Sequence, residues 1–367
     1  MAYDCFFITL EKSRSEINKY KLIREKIPNV HMVKLNDLGN LNDALTEIRK
    51  ISNTEYYWII DPNVLVPPDF DWEFTPTEWD RNITHTWYCS EKNEYNMSLG
   101  VKLFHKSYDV RLVNNGIYYR SGEFKEYLTQ LIQYDKSVNQ HDVVYLSYNE
   151  EFADNNYQKL LEKVPYAKRV NGINGIFEAH QYASTVVDTD MFYVVDADAE
   201  IVKDFNFDYY APIWDISTVH VWKSINSVNE LEYGYGGVKL FPTKLLRDAT
   251  DWNIDFTTSI SDSFKVMPEI SNYTVIDTDA FTAWKSAFRE CAKLSSNIIN
   301  RSVEDDNTNR LNTWCTVGAN TKYGLAVISG AHTGRDYGEK YYNNKEMLNK
   351  INDFSWIKQQ FKENYSE

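Results

Sequence analysis

The feature that most constrains this chain is that it contains one pattern twice. Residues 56–74, YYWIIDPNVLVPPDFDWEF, return at 191–209 as MFYVVDADAEIVKDFNFDY, with Asp61 at Asp196 and Asp69 at Asp204, an offset of 135. His85 and Trp87 return at His220 and Trp222 with the same offset, and GVKLF at 100–104 returns at 237–241 with an offset of 137. Upstream, YDCFFITLE answers HDVVYLSYNE, with Asp4 at Asp142 (offset 138), and KIPNV answers KVPYA at 137. Such small drift implies a tandem duplication, so the fold must be one that each half can form for itself. The expected division is 1–138 and 139–367, the second half carrying a helical extension.

Both copies read in the same order. An apolar strand (5–10; 143–147) precedes a polar helix (14–26; 151–163), then a short strand after the proline and a second helix (41–51; 174–186). The next strand is wholly apolar (57–60; 192–195) and ends at the acidic motif. Strands alternating with helices of this length predict βαβ units on a mainly parallel, Rossmann-like sheet covered on both faces. Ligands of such sheets gather at the carboxyl ends of the strands, where Asp196-Ala197-Asp198 would stand.

Two carboxylates one residue apart repel unless a cation or a partner takes them up. At the end of a buried strand they suit Mg²⁺ or Mn²⁺, hard cations that take oxygen ligands and in turn neutralise a diphosphate. The first copy has Asp61-Pro62-Asn63 instead, and EYNMSLG where the second has the glycine-rich YGYGG. The first copy is therefore expected to be a degenerate, noncatalytic half that supports the second or holds the acceptor.

Beyond the repeat, residues 245–367 carry a helix opening at Asp279, with Phe281, Trp284, Phe288, Cys291, Leu294 and Ile298 on one face. Lys285, Arg289 and Lys293 form a basic stripe on another face, either a solvated surface or one that meets phosphate. A net charge of −14 requires any nucleic-acid surface to be local. The four cysteines are far apart and read as reduced core thiols. No stretch approaches a membrane span, and the start reads as a strand rather than a signal peptide, so a cytoplasmic protein is expected.

These residues resemble the nucleotide-sugar glycosyltransferases of the GT-A fold. More narrowly, DTDMFYVVDADAEIVKDFNFDY, VHVWKS, YGYGGVKLFP and FTAWKSAFRECAKL are similar to a glycosyltransferase family of large tailed phages, over roughly residues 140–340. Members are linked to glycosylation, arabinosyl transfer included, of hydroxymethylated or hydroxylated pyrimidines in phage DNA. The resemblance implies a duplicated GT-A unit, a sugar nucleotide donor such as a UDP-sugar, Mn²⁺ or Mg²⁺, duplex DNA as a partner, and the cytoplasm of an infected host.

It also implies roles by position. Asp196 and Asp198 would hold metal and donor phosphate, with His332 as a further ligand and Arg335 near a phosphate. Tyr148 would stack on the nucleobase, and Arg169, Gly172 and Gly175 would meet the nucleotide, although either glycine equally suits a tight turn. Trp222, Tyr235, Gly236, Gly237 and Lys239 would line sugar and acceptor, while the repeated GVKLF leaves a structural role open for Lys102 and Lys239. From the basic stripe, Lys285 and Arg289 are the candidate substrate-binding cations if that face meets phosphate. Asp279 is the candidate general base, with Asp277 behind it, and either also suits a helix cap. A glycan, protein or small-molecule acceptor and a noncatalytic sugar-nucleotide-binding protein are the competing readings. A nucleotidyltransferase would also use paired acids, but its usual glycine-rich basic loop is not visible near the N-terminus.

Overall fold

The computed structural model describes residues 3–9, 14–27, 29–34, 41–89, 100–107, 123–134, 141–209, 211, 215–234, 236–250, 260–261, 263–296 and 304–365. The chain divides into two compact units, Met1–Gln140 with Tyr209–Ser217, and His141–Asp208 with Thr218–Glu367.

The first unit runs β1 (Asp4–Thr9), α1 (Arg14–Lys26), β2 (Val30–Lys34), α2 (Leu41–Ile51), β3 (Tyr56–Ile60), β4 (Val64–Leu65), β5 (Ile83–Cys89), β6 (Gly100–His105) and β7 (Glu123–Tyr134). The second runs β8 (Asp142–Ser147), α3 (Ala153–Lys163), β9 (Lys168–Asn171), α4 (Ile176–Thr185), β10 (Met191–Asp196), β11 (Ala199–Ile201), β12 (Val219–Asn226), β13 (Glu232–Tyr233), β14 (Val238–Pro242), α5 (Thr243–Asp248) and β15 (Phe264–Thr274). Helices α6 (Ala280–Ser295), α7 (Glu304–Thr316), α8 (Gly324–Lys340), α9 (Lys345–Asn349) and α10 (Phe354–Asn364) follow.

The first sheet is ordered β2-β1-β3-β6-β5-β7-β4, and the second, read from its other end, β9-β8-β10-β14-β12-β15-β11. The second sheet adds β13, paired to β12; along the rest of the path the two sheets share one topology. In each, a parallel block (β2-β1-β3; β9-β8-β10) continues through an antiparallel strand (β6; β14). The register repeats as well: Asp4 lies opposite Tyr57 and Asp142 opposite Phe192, while Tyr56 lies opposite His105 and Met191 opposite Pro242. Even the irregularity after Trp87 in β5 recurs after Trp222 in β12. The chain is thus a tandem duplication of one α/β unit.

Side-chain bonds follow the same symmetry. Asp4 Oδ2 accepts the Asn53 backbone N–H at 2.5 Å, and Asp142 Oδ2 that of Asp188 at 2.8 Å. Thr54 Oγ1 donates to the Tyr56 carbonyl, and Thr189 Oγ1 to that of Met191, both at 2.6 Å. The aromatic content also resolves into a repeated cluster. Trp58, Phe70, Trp72 and Trp87 pack with ring centroids 4.5–5.7 Å apart, and Tyr193, Phe205, Phe207 and Trp222 fill the same positions at 5.1–5.7 Å. Ring pairs at this spacing add about 0.5–1.5 kcal/mol each beyond area burial. The central strands are apolar over Tyr56–Ile60 and, in β10, over the five residues before Asp196, because both faces are covered.

The C-terminal helices bury Trp284, Phe288, Cys291 and Leu294 of α6 with Trp314, Val327 and Ile351. Helix α8 approaches α6 closely through Gly330, Gly334 and Gly338, where a Cβ would strike the backbone of Trp284, Phe288 and Ala292. Cys5, Cys291 and Cys315 are buried free thiols; Ile298 lies outside the described residues. Among the described residues no helix is long and apolar enough to cross a membrane.

Candidate functional site

Strand β10 delivers Asp196 and Asp198 to the carboxyl end of the parallel block of the second sheet. The turn between them is pinned from several sides. Asp196 N–H donates to the Gly237 carbonyl at 2.9 Å, and Val275 N–H to the Asp198 carbonyl at 3.0 Å. The carbonyl of Ala197, between the acids, accepts from Asn156 Nδ2 at 3.0 Å and Tyr145 Oη at 3.2 Å. The acids are therefore presented by a fixed backbone.

Their charges are handled unequally. The Lys239 ammonium, with 6% of its side chain exposed, donates to Asp196 Oδ2 at 2.7 Å. Burial raises the Asp196 carboxyl above its ordinary range, and Lys239 opposes that rise. Asp198 is pushed up to about 7, first by burial and then by Asp196 beside it, with Lys239, Glu150 and Lys285 also felt. Asp198 is thus the acid of the pair whose charge is least compensated. Glu150, which accepts from the Tyr148 N–H at 2.7 Å, adds negative potential. Its place three residues past β8, against a motif some 45 residues on, gave no periodic or motif signal.

Lys285 and Arg289 on α6 complete the electrostatic surroundings. Burial and Arg289 lower the Lys285 ammonium, while Asp198, Glu150 and Asp279 act against that shift. Lys285 lies 4.9 Å and Arg289 5.3 Å from the ring centre of Phe354, and Arg289 donates to the Ile351 carbonyl at 2.9 Å. Lys285 and Arg289 of the stripe are thus part-buried and within electrostatic range of the acid pair, not a freely solvated face.

The other sequence-derived residues divide. Tyr148 is 45% exposed just past β8. Arg169 is committed to Ser147 Oγ at 2.9 Å and Asp154 at 2.6 Å, and lies over the Tyr145 and Tyr157 rings. Gly172 (φ +76°) faces open space, and Gly175 (φ +100°) precedes the first residue of α4 with the Glu178 side chain folded over it. Gly236 (φ +98°) leaves room for the Lys239 side chain, and Gly237 for Asn272. Tyr235 lies outside the described residues.

Three expectations change. Trp222 is 1% exposed inside the aromatic cluster, so its ring packs in the core and does not face a substrate. Asp279 caps α6, accepting the Thr282 N–H at 2.9 Å and hydroxyl at 2.6 Å; burial would raise its carboxyl, but these bonds and Lys285 outweigh it and hold it low. A carboxylate held low takes protons poorly, which suits a cap better than a base. His332 is exposed on α8, and Arg335 on the same helix pairs with Asp336 at 3.5 Å; neither is brought to the acids by a described contact. Among the described residues no three His, Cys, Asp or Glu side chains form a metal cluster.

No family model matches the chain, and no curated protein matches it. Among solved structures it is similar to a glycosyltransferase involved in the glycosylation of the major capsid of PBCV-1, at 16% identity and a TM-score of 0.24, over 28% of this chain and 61% of that one. It is also similar to HddC from Yersinia pseudotuberculosis, at 14% identity and a TM-score of 0.19, over 38% of this chain and 70% of that one. The chain thus spans less than two thirds of the first of these structures.

Proposed function

We propose that the second unit is a nucleotide-sugar-dependent glycosyltransferase of the GT-A kind, transferring a sugar to a modified pyrimidine in phage DNA. The observation that carries this reading is the undercompensated Asp198 beside a lysine-paired Asp196 at the ligand-binding edge of a Rossmann-like sheet. The acids fit a divalent cation in one particular way. Mg²⁺ and Mn²⁺ at nucleotide sites need only one or two protein carboxylates, with phosphate oxygens and water completing the shell. Asp198, with Asp196, would hold the ion; when bound, it would neutralise the leaving diphosphate. A histidine ligand is not required for that arrangement.

The residues of the chain do the rest. Lys239 holds Asp196 in place, and Tyr145 and Asn156 hold the turn. Lys285 and Arg289 supply positive potential for phosphate beside the acids, and exposed Tyr148 offers a ring for stacking a base. Asp279, serving as a cap, is not assigned the general base. The net charge of −14 favours a second reading, in which the acceptor is a glycan, protein or small molecule. Binding to hydroxymethylated DNA that weakens steeply with salt separates the first reading from the second.

The test is mass spectrometry of nucleosides after incubating hydroxymethylated or hydroxylated DNA with a panel of nucleotide sugars and Mn²⁺. A mass increase of one sugar on the pyrimidine is expected with the right donor. Unchanged nucleosides across the panel overturn the DNA acceptor, and absence of donor hydrolysis as well overturns the transferase.

A further inference from the structure

The two copies hold the residue between the acidic positions by different side chains. In the second unit Asn156 Nδ2 donates to the Ala197 carbonyl at 3.0 Å. In the first, Lys19 Nζ donates to the equivalent Pro62 carbonyl at 2.5 Å. That these positions correspond is fixed by their neighbours: Tyr20 Oη donates to the Val30 carbonyl at 3.2 Å and Tyr157 Oη to that of Ala167 at 2.8 Å, each pair 137 residues apart. Tyr145, the second donor to Ala197, corresponds to Phe7, which has no hydroxyl.

The surroundings differ in the same sense. Lys19 is 6% exposed, Asp61 0% and Asn63 1%, so the first strand end is closed and already contains an ammonium. Lys102, the counterpart of Lys239, is buried beside it in sequence register, opposite Ile59 as Lys239 is opposite Val194. The second strand end leaves 32% of the Asp196 side chain exposed and has a neutral amide where the first has a lysine.

We propose that position 156 decides which copy works: Asn156, with Tyr145, positions the Asp196–Asp198 turn and leaves its negative charge for an external cation, whereas Lys19 holds the equivalent turn and supplies a cation from the chain. Asn156 and Tyr145 are positioning residues; they touch the turn, not the substrate. The inference rests on the cation-dependent reading above and deepens it. An ammonium delivered to the Ala197 carbonyl would add a positive charge to the turn that carries both acids, and would offset the repulsion that makes the ion welcome.

The experiment compares wild type, Asn156→Lys, Asp198→Asn and the double variant, reading Mn²⁺ binding by electron paramagnetic resonance and stability by thermal melting. Asn156→Lys is expected to weaken Mn²⁺ binding at least about tenfold, in the range seen when outer-shell partners of a metal site are changed. It is also expected to raise the melting temperature when Asp198 is intact but not in the Asp198→Asn background, a coupling that a purely structural role for Asn156 would not produce. Additive melting shifts, or Mn²⁺ affinity unchanged in a wild type that binds the ion, overturn the proposal. If wild type binds no Mn²⁺, the metal reading fails by itself and the coupling alone decides this inference. Should Asn156→Lys not fold, Lys19→Asn in the first unit tests the same point. It should destabilise more when combined with Asn63→Asp than the two changes added, and simple additivity overturns the idea.

Discussion

The two units share strand order, register, the aromatic cluster and the bonds around Asp4 and Asp142, yet they differ at the strand end. In the first, Asp61-Pro62-Asn63 is sealed, with one carboxylate and two buried lysines nearby in the fold. In the second, Asp196-Ala197-Asp198 is half open, with two carboxylates and one buried lysine already paired to the first of them. The difference teaches that the scaffold alone does not make the site. A chain can keep the strand order, register and aromatic cluster of the unit while replacing the few side chains that leave charge uncompensated.

The largest effect should come from removing the asymmetry's active side. Asp198→Ala is expected to lower turnover by on the order of 10²–10³-fold, the range seen when one electrostatic stabiliser is lost, whereas Asp61→Asn should leave turnover of the folded protein within a few fold. Equal losses in steady-state assays would break the comparison. Where the units agree, they should fail alike: Trp87→Ala and Trp222→Ala should each cost about 3–5 kcal/mol in denaturant unfolding. A Trp222→Ala protein that is fully stable but inactive would return that residue to the substrate-binding set.

Acid should affect the second unit through its buried histidines. Burial lowers His141 to about 4 and His220 to about 3, and lowers His180 well below its ordinary value. Above about pH 6.5, the ordinary histidine value, neither folded nor unfolded state is protonated at these sites. Below it the unfolded state binds more protons, so their contribution is lost as pH falls from 6.5 toward 4, by roughly 3 kcal/mol for His141 alone. Unfolding midpoints flat across that window would contradict the burial. The smallest effect concerns the acids themselves. A carboxyl raised to about 7 favours the fold when protonated, and that contribution disappears as pH rises through 7. Asp198→Asn should therefore raise the melting temperature by a few degrees at neutral pH, and Asn63→Asp should lower it.

Much of this was legible in the sequence. The narrow range of offsets revealed the duplication, the apolar runs YYWII and MFYVV the central strands, and the spacing of Trp284, Phe288 and Cys291 the core face of α6. Less legible were the direction of a side chain, which sequence proximity to a motif does not fix, and the neighbours that the sheet brings in from elsewhere in the chain. Trp222 lies on a strand that runs beside the site, but its side chain joins the core cluster. Asp279 has the right chemistry for a base, but its bonds to Thr282 commit it to a cap. For Lys239 the repeat left a lining role and a structural role both open, and the side chain is buried and paired to Asp196. Glu150 and Asn156 come from the loop after β8 and from α3, far from the motif in sequence, and the sheet brings them to it.

The most direct measurement of the central claim, one working copy and one silent copy in a single chain, is the stoichiometry of Mn²⁺ binding in the presence of a nucleoside diphosphate. One ion per chain is expected, lost in Asp198→Ala and retained in Asp61→Asn. Two ions per chain, or a single ion that survives Asp198→Ala, would contradict it.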